Sequence, residues 1–343
     1  MQYQFFTNSE KTWASMYGEI ANAQRSVYLE MYIFEDTVEK YHFFDVLKER
    51  ASNGIRVKII LDAFGSMDLS NKKIAELWAS GAEVLFRSYL LHRAHRKIVV
   101  IDEKIWYIWG VNFHKNSQLW NDLVVKVDGI LIGNIVKSFI KSYINAGGKD
   151  PILLAQKNTI VSEKVNAWIV EHSPFQKLFS LKKIYLKYIN AAQNHIFLVT
   201  PYFTPRRWLS AALHQAVLRG VKVEVLIPRH TDYFMVNRVN YYYMYQLSQL
   251  WIIFHLEPQM NHAKAMVIDS DIGLVGSQNL DFFSFDFNSE VGVFFRDTEV
   301  VTELTKITEQ WKSESTLFES ALYKPRWFDS LLAFFIRLFS RIF

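Results

Sequence analysis

Cysteine is absent from the 343 residues, which excludes disulfides and thiolate metal sites and is compatible with a reducing compartment. No stretch of 18 uninterrupted apolar residues occurs, so no transmembrane helix is expected. The N-terminus, "MQYQFFTNSEKTW", has neither a basic segment nor an apolar one behind it, so no signal peptide is expected. What the chain does have is 50% hydrophobic residues, enough to fill two ordinary domains or one domain of two similar halves. Its net charge of +5 favours anionic partners, phospholipid or nucleic acid, without choosing between them.

One pattern occurs twice. "HRKIVVID" runs from His95 to Asp102 and "HAKAMVID" from His262 to Asp269, both His-x-Lys-x4-Asp and 167 residues apart (262 minus 95). One copy arises by chance in about 3% of chains this long. Two copies are another matter, because their surroundings repeat as well. "NGIRVKIIL" aligns with "RGVKVEVLI" at nearly the same offset, Gly54 on Gly220. In each half, apolar periodicity predicts the order helix, strand, helix, strand and, farther on, the His-Lys strand. The second half replays it with helices at 176–192 and 207–218 and strands at 195–203 and 221–228. This is a duplication of an α/β unit, two halves each with a mixed, mostly parallel sheet flanked by helices. The linker signal is "INAGGKDPILLAQKN", so the expected units are 1–150, 151–322 and a C-terminal segment, 323–343.

Side chains alternate along an extended strand, so His95 shares a face with Lys97, and His262 with Lys264. Asp102 and Asp269, seven positions on, face away and are expected to be structural anchors. Asn112 and Asn279 follow their aspartates by ten residues, preceded by Gly110 in one half and by Gly276 and Ser277 in the other. Small residues there let backbone and amide approach an anion. Packed about a pseudo-twofold axis, the halves would bring two imidazoles, two ammoniums and two amides to one pocket, an inventory suited to a phosphodiester. One neutral histidine could attack phosphorus while the other donates to the leaving oxygen. This chemistry calls for no metal and no cofactor. The remaining histidines (His42, His92, His114, His172, His195, His214, His230 and His255) are expected at the surface or in packing.

At these residues the chain resembles the phospholipase D superfamily, whose signature is HxKx4D followed by G(G/S)xN, and the likeness spans nearly its whole length. "TPYFTP", "LRGVKVEVLIP" and "WNDLVVKVDG" are similar to stretches of bacterial cardiolipin synthases. The resemblance implies one active site shared by both halves, with His95 forming a phosphohistidine and His262 serving as acid and base. It implies that Lys97, Lys264, Asn112 and Asn279 grip the phosphate with help from Ser277. It further implies that Asp122 and Glu290 each orient a histidine. The first half departs from the pattern at "IWGVN", where Trp109 replaces a small residue. The implied partners are phosphatidylglycerol and, as a second candidate, phosphatidylethanolamine, with hydrolysis of phospholipid or nucleic acid as the alternative activity and nucleic acid the disfavoured substrate. A non-catalytic membrane-binding scaffold is a further alternative, which the intact His and Lys of both halves disfavour.

The N-terminal transmembrane pair of many cardiolipin synthases is not found, so another membrane anchor is expected. The tail "RWFDSLLAFFIRLFSRIF", at 100° per residue, gathers Arg326, Asp329, Ser330, Arg337, Ser340 and Arg341 within about 120° of arc, with apolar residues around the rest. That describes either a helix lying in an anionic membrane interface or one docked on the catalytic body. With the membrane reading, the protein would be peripheral at the cytoplasmic face of a bacterial inner membrane. The cluster "NRVNYYYMYQL" would line a lipid entrance or pack as a core helix. Oligomeric state is not legible.

Overall fold

The computed structural model describes residues 2–35, 40–87, 92–159 and 166–342. The first half supplies β1 (Gln2–Asn8), β2 (Ser26–Met31), β3 (Arg56–Asp62), β4 (Glu83–Arg87), β5 (Ile98–Ile101), β6 (Ile105–Ile108) and β7 (Asn121–Asp128). Its sheet runs β1-β7-β6-β5-β2-β3-β4. Its helices are α1 (Ser9–Ala21), α2 (Phe43–Ser52), α3 (Asn71–Ala79) and α4 (Ile132–Asn145), followed by α5 (Pro151–Thr159).

The second half supplies β8 (Ala167–His172), β9 (His195–Val199), β10 (Phe203–Thr204), β11 (Lys222–Pro228), β12 (Ile253–Glu257), β13 (Ala265–Ile268), β14 (Ile272–Gly276), β15 (Leu280–Asp281), β16 (Glu290–Phe295) and β17 (Thr316–Leu317). Its sheet, β17-β12-β11-β9-β13-β14-β16-β8, has the same order as the first read from the other edge, with β17 added. The helices here are α6 (Ser180–Ala191), α7 (Arg207–Leu218), α8 (Phe234–Ser248), α9 (Phe282–Asp286), α10 (Thr298–Ser313) and α11 (Trp327–Ile342).

Both sheets are mixed. The parallel part is β2-β3-β4 in one and β9-β11-β12 in the other, and the remaining strands pair antiparallel. Connection length decides which: parallel neighbours need a helical crossover, whereas β5 to β6 and β13 to β14 are tight hairpins. In the first hairpin Lys104 N–H donates to the Ile101 carbonyl at 3.0 Å, with Asp102 and Glu103 in the left-handed region. The second repeats this with Asp269 and Ser270. Aspartate tolerates that conformation better than most residues.

The aspartates do more than turn. Asp102 accepts from the backbone N–H groups of Gln24, Arg25 and Ser26 at 2.7–3.1 Å, and Asp269 from Gln193, Asn194 and His195 at 2.8 Å. Each carboxylate thus ties its hairpin to the start of the central strand, β2 or β9. Burial opposes ionisation of Asp269, but those three donors hold its carboxyl below the usual range.

The halves are not separable bodies. Helices α1 to α3 cover the outer face of the first sheet around Trp13, Leu29, Leu47 and Ile59, and α6 to α8 cover the second around Tyr185, Leu213 and Val225. Between the sheets lies a shared core in which Trp106, Val125 and Phe139 join Val267, Val293 and Leu304. The Phe5 ring meets Phe295 edge-on at 6.2 Å across it. The expected linker falls inside this arrangement: Asp150 caps α5 through Ile152 N–H at 2.9 Å, and Leu153 is buried in the shared core. The two sheets draw their strands from 2–128 and 167–317, so the expected division near residue 150 falls between them while the core is shared.

Three donors lose their acceptor when either aspartate is removed, so Asp102→Ala and Asp269→Ala should each lower unfolding free energy by about 1–3 kcal/mol. The measurement is the urea midpoint at unchanged m-value, and Asp→Asn at the same positions should cost less.

Candidate active site

The His-Lys segments precede their strands rather than lying in them, since β5 begins at Ile98 and β13 at Ala265. His95 and His262, with Asn112, Asn279 and Asn288, line one cavity of about 790 Å³ at the junction of the halves. Lys97 and Lys264 lie beneath it, almost wholly buried.

His95 is held from the other half. Its Nδ1 lies 3.0 Å from both carboxylate oxygens of Glu290, which begins β16. Glu290 is buried and also accepts from the Ser277 hydroxyl, from Ser284 Oγ at 2.8 Å and from Asn288 Nδ2 at 3.3 Å. Burial pushes its carboxyl up, yet His95 and Lys97 outweigh this and hold it below the ordinary glutamate value. A carboxylate on Nδ1 places the proton there and leaves Nε2 with its lone pair.

His262 is set differently. Its Nδ1 lies 2.6 Å from Lys264 Nζ, a donor, so Nδ1 accepts and Nε2 carries the proton. The bond expected from Asp122 is not made. Asp122 accepts instead from Gly110 and Val111 N–H at 3.1 and 2.8 Å, and its Oδ1 has no hydrogen-bond partner among the described residues. Burial pushes the Asp122 carboxyl up, with Lys264 opposing. Trp120 lies tilted 5.7 Å from the His262 ring and Tyr202 meets it edge-on at 5.8 Å.

Burial shifts both histidines and both lysines towards neutrality, while Glu290 stays charged. His95 is lowered by burial and by Lys97, against Glu290. His262 falls well below the ordinary value through burial and both lysines. Burial brings Lys97 down to about 8, and lowers Lys264 further with Lys97 beside it. An anion entering here reverses each shift, because it stabilises every cationic form.

Some expected phosphate contacts take other roles. Ser277 gives its proton to Glu290 and accepts from Val291 N–H at 3.1 Å, so it braces the His95 carboxylate rather than facing the cavity. Gly110 and Gly276 serve close packing: a Cβ on Gly110 would lie 2.6 Å from both Asp122 Oδ1 and the His262 carbonyl, and one on Gly276 2.6 Å from the Val291 carbonyl. Trp109, which stands where a small residue is usual, is buried among the first half's outer core and stacks on Phe113. Asn112 and Asn279 do line the cavity, and Asn279 Oδ1 has no hydrogen-bond partner among the described residues.

Most other histidines pack as expected. His195 and His255 flank buried Glu224 at 2.7 and 2.8 Å, and His172 Nε2 meets the Phe285 carbonyl at 3.0 Å. His114 departs from this, lining the cavity with Nε2 3.3 Å from Glu35. Its position two residues after Asn112 was the available signal. The tyrosines of 241–245 do not line the entrance: Tyr243 is buried, Tyr241 packs on Phe318 and Tyr245 on Tyr323. The start of α8 contributes Met235, Val236 and Val239 to the cavity instead. Tyr32, edge-on to His95 at 5.1 Å, carried no motif and was missed.

Residues 16–142 and 185–311 match the family model described as cardiolipin synthase, PLD-like domain. The chain belongs to this phospholipase D-like cardiolipin synthase family. It is 29% identical to a probable cardiolipin synthase of Bacillus subtilis (strain 168), over 98% of this chain and 71% of that one. It is 30% identical to a cardiolipin synthase of Oceanobacillus iheyensis, over 94% of this chain and 71% of that one. A Geobacillus kaustophilus cardiolipin synthase is 28% identical, with the chain spanning 64% of its length. In fold, the chain superposes on the crystal structure of phosphatidylserine synthase from Haemophilus influenzae Rd KW20 with a TM-score of 0.76 at 14% identity, over 99% of this chain and 93% of that one. Family and fold class agree with the expectations from the repeated motif, except that the sheets, expected to be mostly parallel, pair mostly antiparallel because hairpins outnumber helical crossovers.

Activity should follow a bell in pH. The alkaline limb of kcat/KM should fall near pH 8 as Lys97 loses its proton, and the acid limb should lie below the ordinary histidine value. Lys97→Arg, which stays charged, should move the alkaline limb upward in steady-state assays.

Proposed function

We propose that this protein is a cardiolipin synthase that transfers a phosphatidyl group through a phosphohistidine on His95 to phosphatidylglycerol, releasing glycerol. The observation that carries the assignment is the unequal setting of the two imidazoles, carboxylate on His95 Nδ1 and ammonium on His262 Nδ1. In the first step Nε2 of His95 attacks phosphorus and the bond to the glycerol oxygen breaks. His262 Nε2 gives that oxygen its proton while Lys264, its hydrogen-bond partner, passes one to Nδ1. In the second step the hydroxyl of phosphatidylglycerol gives its proton to His262 Nε2 and attacks phosphorus. The P–N bond then breaks, and Nδ1 returns its proton to Lys264. Lys97, Asn112 and Asn279 neutralise and orient the phosphate oxygens.

An apolar surface around the cavity favours lipid over nucleic acid. Phe64, Tyr233, Met235 and Phe283 line the cavity and are each more than half exposed. Beside them α11 presents Trp327, Phe334 and Phe335 to solvent. One polar residue of this helix faces inward: Asp329 is fully buried and pairs with Arg238 at 2.6 Å, and Leu332 reaches the cavity. Docking on the body and display of an apolar face are thus compatible in one helix. The side chains of 336–343 lie outside the described residues. Among the described residues no helix is long and apolar enough to cross a membrane. This surface supports peripheral attachment, with the aromatic face in the lipid interface and water kept from the phosphohistidine.

Purified protein given phosphatidylglycerol should form cardiolipin and glycerol in equal amounts, and phosphatidic acid as the sole product would sink the transferase reading. With a donor whose leaving group needs no proton, a p-nitrophenyl phosphodiester, His262→Ala should keep a first-turnover burst of nitrophenol. His95→Ala should show none. Vesicle sedimentation should separate the membrane reading: combined Trp327→Ser, Phe334→Ser and Phe335→Ser should weaken binding to anionic vesicles at least tenfold, and unchanged binding would refute it.

A further inference from the structure

The cavity carries a cation that one phosphodiester does not use. Arg93 lines it two residues before His95, and its guanidinium lies 4.1 Å over the Phe64 ring. Among the described residues no carboxylate pairs with it. Its polar contact is the Tyr32 hydroxyl, whose pKa Arg93 lowers against the larger upward push of burial. The guanidinium is thus held in place by a ring and a phenol, with donors to spare for a fork-shaped contact.

The other charged groups in this wall are differently disposed. His114 is compensated by Glu35. Asp232 accepts from the Tyr202 hydroxyl at 2.7 Å and, with Asp281, makes its side of the cavity acidic, suited to hydroxyl groups and unsuited to a second anion. Lys97 and Lys264 lie below the histidines, where the reacting phosphate sits. An anion elsewhere in the cavity therefore has one place to go.

We propose that Arg93 receives the second phosphate, that of the acceptor phospholipid, so that two lipid phosphates occupy the cavity together during transfer. This rests on the transferase reading above. Tyr32 supplies the spacing: its ring lies against His95 at 5.1 Å and 5.5 Å from Lys97 Nζ, while its hydroxyl meets Arg93. The reacting phosphate and the Arg93 phosphate are then separated by one phenol ring, a span of the order of the three-carbon bridge that joins the phosphates of the product. The acceptor hydroxyl is delivered to phosphorus because its own phosphate is anchored. Water and simple alcohols have no phosphate and gain nothing from Arg93.

The test sets two acceptors in competition. Phosphatidylglycerol vesicles with excess radiolabelled glycerol yield cardiolipin when the acceptor carries a phosphate, and labelled phosphatidylglycerol when it does not. Arg93→Ala should lower the ratio of the first product to the second by at least tenfold, and Arg93→Lys should recover part of it. A parallel fall of both products, or an unchanged ratio, would overturn the assignment while leaving the transferase reading intact. A wild-type protein that yields neither product and only phosphatidic acid would overturn both. Thermal melts of the two variants check that the fold is kept.

Discussion

A carboxylate of the second half holds the imidazole of the first, and the rest of the site is arranged around that contact. Glu290 sits at the start of β16, and three further side chains of its own half, Ser277, Ser284 and Asn288, donate to it. A buried carboxylate is tolerable only with such company. With those donors in place Glu290 stays charged and gives His95 a defined tautomer with a free Nε2. The bond crosses between the halves, so it can form only when the shared core between the sheets is assembled. Fold and the tautomer of His95 are therefore established together.

The second histidine shows how duplication can be turned into division of labour. Both halves began from the same pattern, yet Trp109 and Gly110 in the first half and Gly276 and Ser277 in the second surround their acidic residues differently. Ser277 gives Glu290 a hydroxyl donor, whereas Asp122 takes two backbone donors and leaves His262 to Lys264. Two chemically identical rings acquire opposite free nitrogens, one bare and one protonated. That difference suits a reaction in which one ring must attack and the other must shuttle a proton.

The surroundings of the site follow from the same economy of charge. Two ammoniums and two imidazoliums are costly to bury, and an entering phosphate stabilises all four. The aromatic mouth and α11 extend an apolar surface around the opening. Arg93, held on Phe64 at the wall, is a cation placed where the lower lysines cannot reach.

How much of this was legible beforehand follows from the range over which each feature is encoded. The repeated His-x-Lys-x4-Asp and the duplicated helices and strands such as Arg207–Leu218 and Glu83–Arg87 are local patterns of period and turn chemistry, so sequence alone determined them, whereas the donors that anchor Asp102 and Asp269 lie 74–78 residues away. Sheet direction was half legible, because a hairpin or a crossover is set by connection length, while the edge strands β1 and β8 depend on partners far along the chain. The linker near residue 150 was legible from its glycines and proline, but that Leu153 joins the core shared by the halves was not. The tail helix was legible as amphipathic, but the inward turn of Asp329 required Arg238, 91 residues away. In the same way only the tertiary structure decided that Ser277 serves Glu290, that Asp122 does not reach His262, and that Tyr32 and Arg93 belong to the site. Those roles are distances between side chains that the chain itself keeps far apart, and no local pattern carries them.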